Sequence, residues 1–299
     1  MKTKSLTEKI MAVLFAVCGG AAVAAVGAIC VYMLISGMPA LGEIGPLEML
    51  TQTVWATTAA EPKFGILNII LTSIAGTAMA IVIGVPAAIF AAVFLSEIAP
   101  KRVSSVIKAA VELLAGIPSV VYGLLGILII KPLVYKIELL LFAGSEAHKM
   151  TGGANLIAAV FVLAVMILPT VINGSQTALC AVPQHLRSSS YALGATKITT
   201  VFRVVIPAAK SGIITSVVLG IGRAIGEAMA ITLVAGNAVN APAPFNSVRF
   251  LTTGIVAEMS YSQGLHRQAL FTIGLVLFVF IMVINILLNL FLKNRKTEN

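Results

Sequence analysis

Pro183-Gln184-His185-Leu186-Arg187-Ser188-Ser189-Ser190-Tyr191-Ala192-Leu193-Gly194-Ala195-Thr196-Lys197 opens a polar interval in an otherwise apolar chain, and Val204-Val205-Ile206-Pro207 closes it. Uncharged apolar runs end near Ser175 and resume at Ser211, so residues 176–210 leave the hydrocarbon between two spans. Serines cap orphan amides at a helix start, glycine stops a helix, and proline fits a first turn. The interval therefore reads as two short amphipathic helices joined at Gly194, with Pro207 re-entering before the next span. A solvated loop needs no such layout, which points to a docking element for a cytoplasmic partner.

Outward from this interval, six stretches are long enough to cross a hydrocarbon core, which needs about 20 apolar residues per helix. They are 10–36, 65–95, 113–130, 154–175, 211–236 and 269–292, the fifth interrupted by one Arg and one Glu. Their apolar character runs all round each helix, as expected of lipid-facing segments. The composition agrees: of 299 residues, 59% are hydrophobic and 10% charged, with a mean hydropathy of +1.04. Soluble domains have about 45–50% and about 25% respectively. A water-soluble globule is excluded, and the expected fold is an all-α membrane protein of six transmembrane helices.

The net charge of +9 could suggest nucleic acid, but its placement is a topology signal. With the N-terminus inside, the cytoplasmic segments hold Lys2, Lys4, Lys9, Lys101, Arg102, Lys108, Arg187, Lys197, Arg203, Lys210, Lys293, Arg295 and Lys296. The outer loops hold Lys63, Lys131, Lys136, Lys149, Arg249 and Arg267, balanced by Glu43, Glu48, Glu61, Glu138, Glu146 and Glu258. The positive-inside rule then places both termini in the cytoplasm. Ala22-Val23-Ala24 mimics a signal-peptide cleavage site, but the apolar run around it exceeds the ~7–15 residues of such a peptide, so the first helix reads as a retained anchor. The expected division is an anchor and first outer loop over 1–64, a core over 65–292 containing the 176–210 interval, and a tail over 293–299.

Several chemistries are missing. All 11 acids are Glu, which excludes two-Asp catalysis and Asp-rich metal sites. Neither a G-x-x-x-x-G-K-[ST] phosphate loop nor H-E-x-x-H occurs, and His148, His185 and His266 lie on separate segments. Cys18, Cys30 and Cys180 give no disulfide or metal spacing. No enzyme active site is expected.

Two features are expensive in lipid. Arg223 and Glu227 stand at i,i+4 within the fifth stretch, each costing about 2.5–3.5 kcal/mol at a helix centre, and a turn of separation lets them compensate in part. Gly222 and Gly226 form a G-x-x-x-G face for close approach of a shielding helix. Arg223 is expected to line an anion path, with Glu227 holding its geometry or exchanging partners during gating; a buried ion pair that only fixes packing is the alternative. In the third stretch Pro118 kinks the helix, leaving carbonyls near Leu114 to Ser119, water or a neighbour, a placement that suits Pro118 and Ser119 as path lining. Pro86 and Pro169 lie within the second and fourth stretches.

The polar interval resembles the coupling motif of ABC importer permeases, E-A-A, three residues, G, nine residues, I-x-L-P. Here Gly194 is followed by nine residues and then Val204-x-Ile206-Pro207, while Ser188-Ser189-Ser190 stand in place of Glu-Ala-Ala. The resemblance implies that Arg187, Ser188, Ala192, Gly194, Ala195 and Pro207 dock on a nucleotide-binding subunit. Gly116 to Gly123, Gly222 to Glu227, Leu251 to Met259, Gly264, His266, Ala269-Leu270 and Gly274-Leu275-Val276-Leu277-Phe278 together resemble the PstC-type permeases of bacterial phosphate ABC importers. Ala228-Met229-Ala230 after Glu227 differs from the Thr-Ala-Pro run of the sister PstA type.

That resemblance implies a type I ABC importer permease of MetI-like fold in the bacterial inner membrane, moving phosphate inward by alternating access. Its implied partners are a PstA-type permease, two cytoplasmic ATPase subunits and an extracytoplasmic phosphate-binding protein. ATP and Mg would sit on the ATPases, with no cofactor on this chain and no nucleic acid bound. A permease for sulfate, molybdate or phosphonate remains open at this point. So does a stand-alone channel or carrier, though either would leave 176–210 without a role and no inverted repeat is evident.

Overall fold

The computed structural model describes residues 6–142, 144 and 148–294, with side chains over 7–142, 144 and 148–287. Lys2, Lys4, Arg295, Lys296 and Glu298, most of the tail 293–299, and Glu146 lie outside the described residues. The chain is built of α1 (Leu6–Ile44), α2 (Pro46–Thr51), a hairpin of β1 (Trp55–Ala56) and β2 (Lys63–Phe64), and α3 (Leu67–Val93), extended by the π-helical turn π1 (Phe94–Ile98). Then come α4 (Lys101–Gly116), α5 (Ser119–Leu125), π2 (Gly126–Ile130), α6 (Lys131–Phe142) and α7 (Leu156–Cys180). The last part holds α8 (Gln184–Ala192), α9 (Lys197–Thr200), π3 (Val201–Val205), α10 (Ile206–Ile225), α11 (Met229–Val234), α12 (Leu251–Glu258) and α13 (Gly264–Asn294).

Among the described residues five helical stretches are long and apolar enough to span a membrane, and a bent pair makes a sixth. That pair corrects the third expected span, 113–130. Between α4 and α5 the direction turns by 102°. The cause is Pro118, whose ring pushes the preceding residue out of the helical region; Ile117 sits at φ −71°, ψ 130°. α4 is thus a separate amphipathic helix, and the chain after the bend runs helically from Ser119 to Phe142, carrying Lys131 and Lys136 on a helix rather than in a loop. The Leu114 carbonyl, whose helical partner would be the proton-less Pro118 nitrogen, accepts the Ile117 amide at 3.2 Å and the Tyr122 hydroxyl at 2.7 Å.

The fifth span is also corrected. It runs as one helix from Lys197 to Ile225 and stops before the expected end at Gly236, with α11 starting anew at Met229. The wider turn π3 lies directly before Pro207, whose ring nitrogen has no proton for the bond to the preceding turn.

α7 is the axis of the bundle, two-thirds of its apolar window being buried (67%). α3 and α10 flank it at distances that only small side chains permit. A Cβ on Gly84 of α3 would lie 2.7 Å from Ile167, one on Gly212 of α10 2.5 Å from Ala178, and one on Gly220 2.6 Å from Val171. Gly174 meets Ser216 in the same seam. The expected Gly222 and Gly226 face is not the one used: nothing lies within 4 Å of a Cβ on Gly222, and Gly226 faces only its own turn. The row Gly212, Ser216, Gly220 makes the close contact instead. α1 lies outermost against α13, through an edge-on Tyr32 and Phe271 pair at 5.4 Å and a bond of 2.8 Å from the Thr272 hydroxyl to the Gly37 carbonyl.

The bundle has two distinct ends. The hairpin, α12 and the loop 235–250 gather at one, the hairpin end; π1, α8 and α9 gather at the other, the α8 end.

Candidate functional site

Arg223 stands in the last turn of α10, where Gly220 beside it is level with Ile167 and Val171 near the middle of α7. Its guanidinium donates to the Thr170 hydroxyl at 3.3 Å and lies within electrostatic reach of Tyr122 on α5. The expected pairing with Glu227 is absent: among the described residues no salt bridge joins Arg223 to a carboxylate. The i,i+4 rule needs a continuous helix, and the helix ends at Ile225. Glu227 instead turns into the next element, its Oε1 accepting the Ala230 amide at 2.9 Å, while the Thr252 hydroxyl donates to its carbonyl at 2.6 Å. The carboxylate is buried and caps α11; the cation keeps its charge with a neutral partner. Pro118 opens α5 and Ser119 is half-buried beside it, with no hydrogen bond from either to Arg223 among the described residues.

At the α8 end no residue of α8 is buried. Gly194 takes φ +81°, the left-handed conformation that ends α8 and that a side chain would resist. The Thr196 hydroxyl accepts the Thr199 amide and caps α9, and Ser190 and Thr200 share a hydrogen bond of 2.9 Å that ties the two helices together. Ser188, Ala192, Gly194 and Pro207 are exposed and Ala195 half-exposed. Arg187 differs. It turns inward to Glu97 of π1 and to the Leu179 carbonyl at 2.9 Å, anchoring α8 to the ends of α3 and α7. The sequence reading missed Glu97, and it missed the apolar component: Leu193 is 89% exposed and Ile198 70%, with Phe202 beside them.

The hairpin end holds a cluster that no spacing announced. Buried Glu258 accepts the Trp55 indole at 3.0 Å, bonds His266 at 2.8 Å and pairs with Arg249, whose Nε donates to the Asn237 carbonyl at 3.1 Å. Burial pushes the Glu258 carboxyl up, and the bonds from His266 and Trp55 together with the Arg249 charge more than offset it, holding the group below its ordinary value. A second buried carboxylate, Glu138, bonds His148 at 2.9 Å and the Thr151 amide at 2.8 Å. Two open clefts flank these clusters, of about 420 Å³ beside Trp55 and Tyr261 and about 560 Å³ beside His148 and Asn246.

A spanning bundle with a mid-bundle cation that pairs with no carboxylate among the described residues, and an exposed two-helix element between spans, is the layout of a membrane permease. The chain belongs to the family described as binding-protein-dependent transport system inner membrane component, whose profile matches residues 84–296. It is a multi-pass inner-membrane protein and a transport subunit. It is 38% identical to the probable ABC transporter permease protein YqgH of Bacillus subtilis, over 89% of this chain and 85% of that one. It is 32% identical to the phosphate transport system permease protein PstC of Haemophilus influenzae, over 91% of this chain and 89% of that one. The fold is similar to that of the MetNI methionine ABC transporter in an inward-facing crystal form, with a TM-score of 0.55 at 20% identity, covering 77% of this chain and 94% of the other. The MetI-like architecture expected from the sequence is therefore the observed one.

Proposed function

We propose that this chain is the PstC-type membrane subunit of an ATP-driven importer that moves inorganic phosphate inward by alternating access. The observation that carries the reading is Arg223, a mid-bundle cation whose hydrogen-bond partner is the neutral Thr170 hydroxyl. An oxyanion can supply the missing charge-assisted bonds, and an arginine fork fits its geometry. A single such charge guides without trapping, since conduction requires release. Phosphate, rather than another oxyanion, is supported by the similarity to PstC over nearly the whole chain.

In this reading a PstA-type permease covers the open Gly222 and Gly226 side of α10. Two ATPase subunits, holding ATP and Mg, take α8 with Leu193, Ile198 and Phe202, and a phosphate-binding protein docks at the hairpin end. The α8 end faces the cytoplasm with both termini, supported by Lys101, Arg102, Lys197, Arg203 and Lys210 at that end. The test is ATPase activity of the reconstituted complex with phosphate, sulfate or molybdate presented through the same binding protein. Phosphate is expected to stimulate hydrolysis and uptake, with little response to the other two. Equal stimulation by sulfate or molybdate overturns the phosphate assignment.

A further inference from the structure

We propose that the uncovered groove between α7 and α10 is the limb of the anion path leading from Arg223 to the α8 end, an inference that rests on the transport reading above. The two helices run antiparallel, with Ala178 facing Gly212, Gly174 facing Ser216 and Val171 facing Gly220. On each helix the residue preceding a contact position is turned by about 100° to one side of the seam. Because the helices are antiparallel, that is the same side on both. The positions placed there are Thr170, Asn173 and Thr177 on α7, and Ser211, Thr215 and Leu219 on α10.

The rungs are level: Thr177 with Ser211, Asn173 with Thr215, and Thr170 with the turn that carries Arg223, where the 3.3 Å bond closes the top. The opposite side of the seam is filled by α3, where Ile172 and Ile213 join Ala88 and Ala92 in an apolar core. One side is therefore apolar and covered; the other is polar and open. Thr177, Ser211, Thr215 and Leu219 are exposed, and Thr170 and Asn173 half-buried.

The groove offers neutral donors and no carboxylate. The Asn173 Oδ1 atom is buried without a partner among the described residues, and the Nδ2 of the same amide is the donor the side chain carries. The Thr177 and Thr215 hydroxyls donate to carbonyls one turn back, at 2.8 and 2.9 Å, bonds that rotate away when a better acceptor arrives. Hydroxyls and an amide can solvate an oxyanion without holding it. At its foot the groove meets a cleft of about 250 Å³ lined by Ala178, Val182, Ser211 and Gly212.

The test uses the reconstituted complex with Cys18, Cys30 and Cys180 changed to Ser, and single cysteines introduced as Thr170→Cys, Asn173→Cys, Thr177→Cys and Thr215→Cys. Phe161→Cys and Val165→Cys, at apolar exposed positions of α7, are the controls. The probe is an anionic methanethiosulfonate, applied without nucleotide and with ATP. Groove cysteines are expected to react at least about tenfold faster than the controls in one of the two states, since the reactive thiolate forms only where water reaches. Rates equal to the controls in both states overturn the proposal, whichever anion is carried. Protection of Thr170→Cys by phosphate supports it further; protection by sulfate alone keeps the groove as the path and overturns the phosphate reading.

Discussion

At the scale of single residues, Arg223 and Glu227 divide labour where sequence spacing joins them. Losing one charge-assisted bond to the anion is worth about 1.5–3 kcal/mol, and about 1.4 kcal/mol is tenfold. Arg223→Gln is therefore expected to lower phosphate uptake by about tenfold or more in a normally inserted complex, with Arg223→Lys between the two because it keeps the charge and loses the fork. Near-normal uptake by the Gln variant would sink the path assignment. Glu227→Gln retains the oxygen that caps the Ala230 amide and should transport, while Glu227→Ala loses a cap worth about 0.5–2 kcal/mol and should melt lower. Were the two residues an ion pair, the Gln variants would fail alike. Arg223 was legible in the sequence because a cation inside an apolar run is costly. Its partner Thr170, 53 positions away, was not, because only folding makes them neighbours.

At the scale of elements, glycine and proline told where helices change but not what each change does. Pro118 reads as a kink in one span, yet its effect on Ile117 produces a turn of 102° and a separate helix. The small-residue row was misread for a related reason: Gly222 and Gly226 satisfy the spacing, but so does Gly212, Ser216, Gly220, and the side facing α7 decides. Spacing did place Gly194 and Pro207 correctly, because positive φ and a missing amide proton are local properties, whereas the serines expected to cap the helix start lie inside α8, which Pro183 opens. How α8 is held was hidden in Arg187 and Glu97, 90 positions apart. Both side chains are largely buried, at 12% and 8% exposure. Arg187→Ala strands the Glu97 carboxylate, a loss of about 3 kcal/mol or more for a buried pair. The expected outcome is faster proteolysis between α7 and α9 and fewer phosphate ions moved per ATP, with the exchange Arg187→Glu and Glu97→Arg recovering part of both. Coupling unchanged by Arg187→Ala would show that α8 is held by its serine and threonine contacts alone.

At the scale of the whole molecule, composition was enough for a membrane bundle, while the clusters that join its loops were not legible at all. Trp55 and Glu258 are 203 positions apart, and β1, the loop before α12, α12 and α13 meet through one carboxylate. Its partners decide how the hairpin end answers acid. The Glu258 carboxyl is held below its ordinary value of 4.5 in the folded chain, so folding gains from the ionised form. That contribution is fully present above the ordinary value, declines as pH falls through 4.5, and is gone below the lowered value. The chain has a single tryptophan, and it is the one bonded to this carboxylate, which makes its emission a local reporter. In the detergent-solubilised full chain, Trp55 emission is expected to show a transition below 4.5 as the indole loses its acceptor and gains water. Glu258→Gln should remove that transition and lower the melting temperature at neutral pH, since it leaves the Arg249 charge buried without a counterion. A shift centred at or above the ordinary value, or one that persists in Glu258→Gln, would mean that the hairpin is held by its apolar contacts with Phe64 and Ile66 and not by the carboxylate.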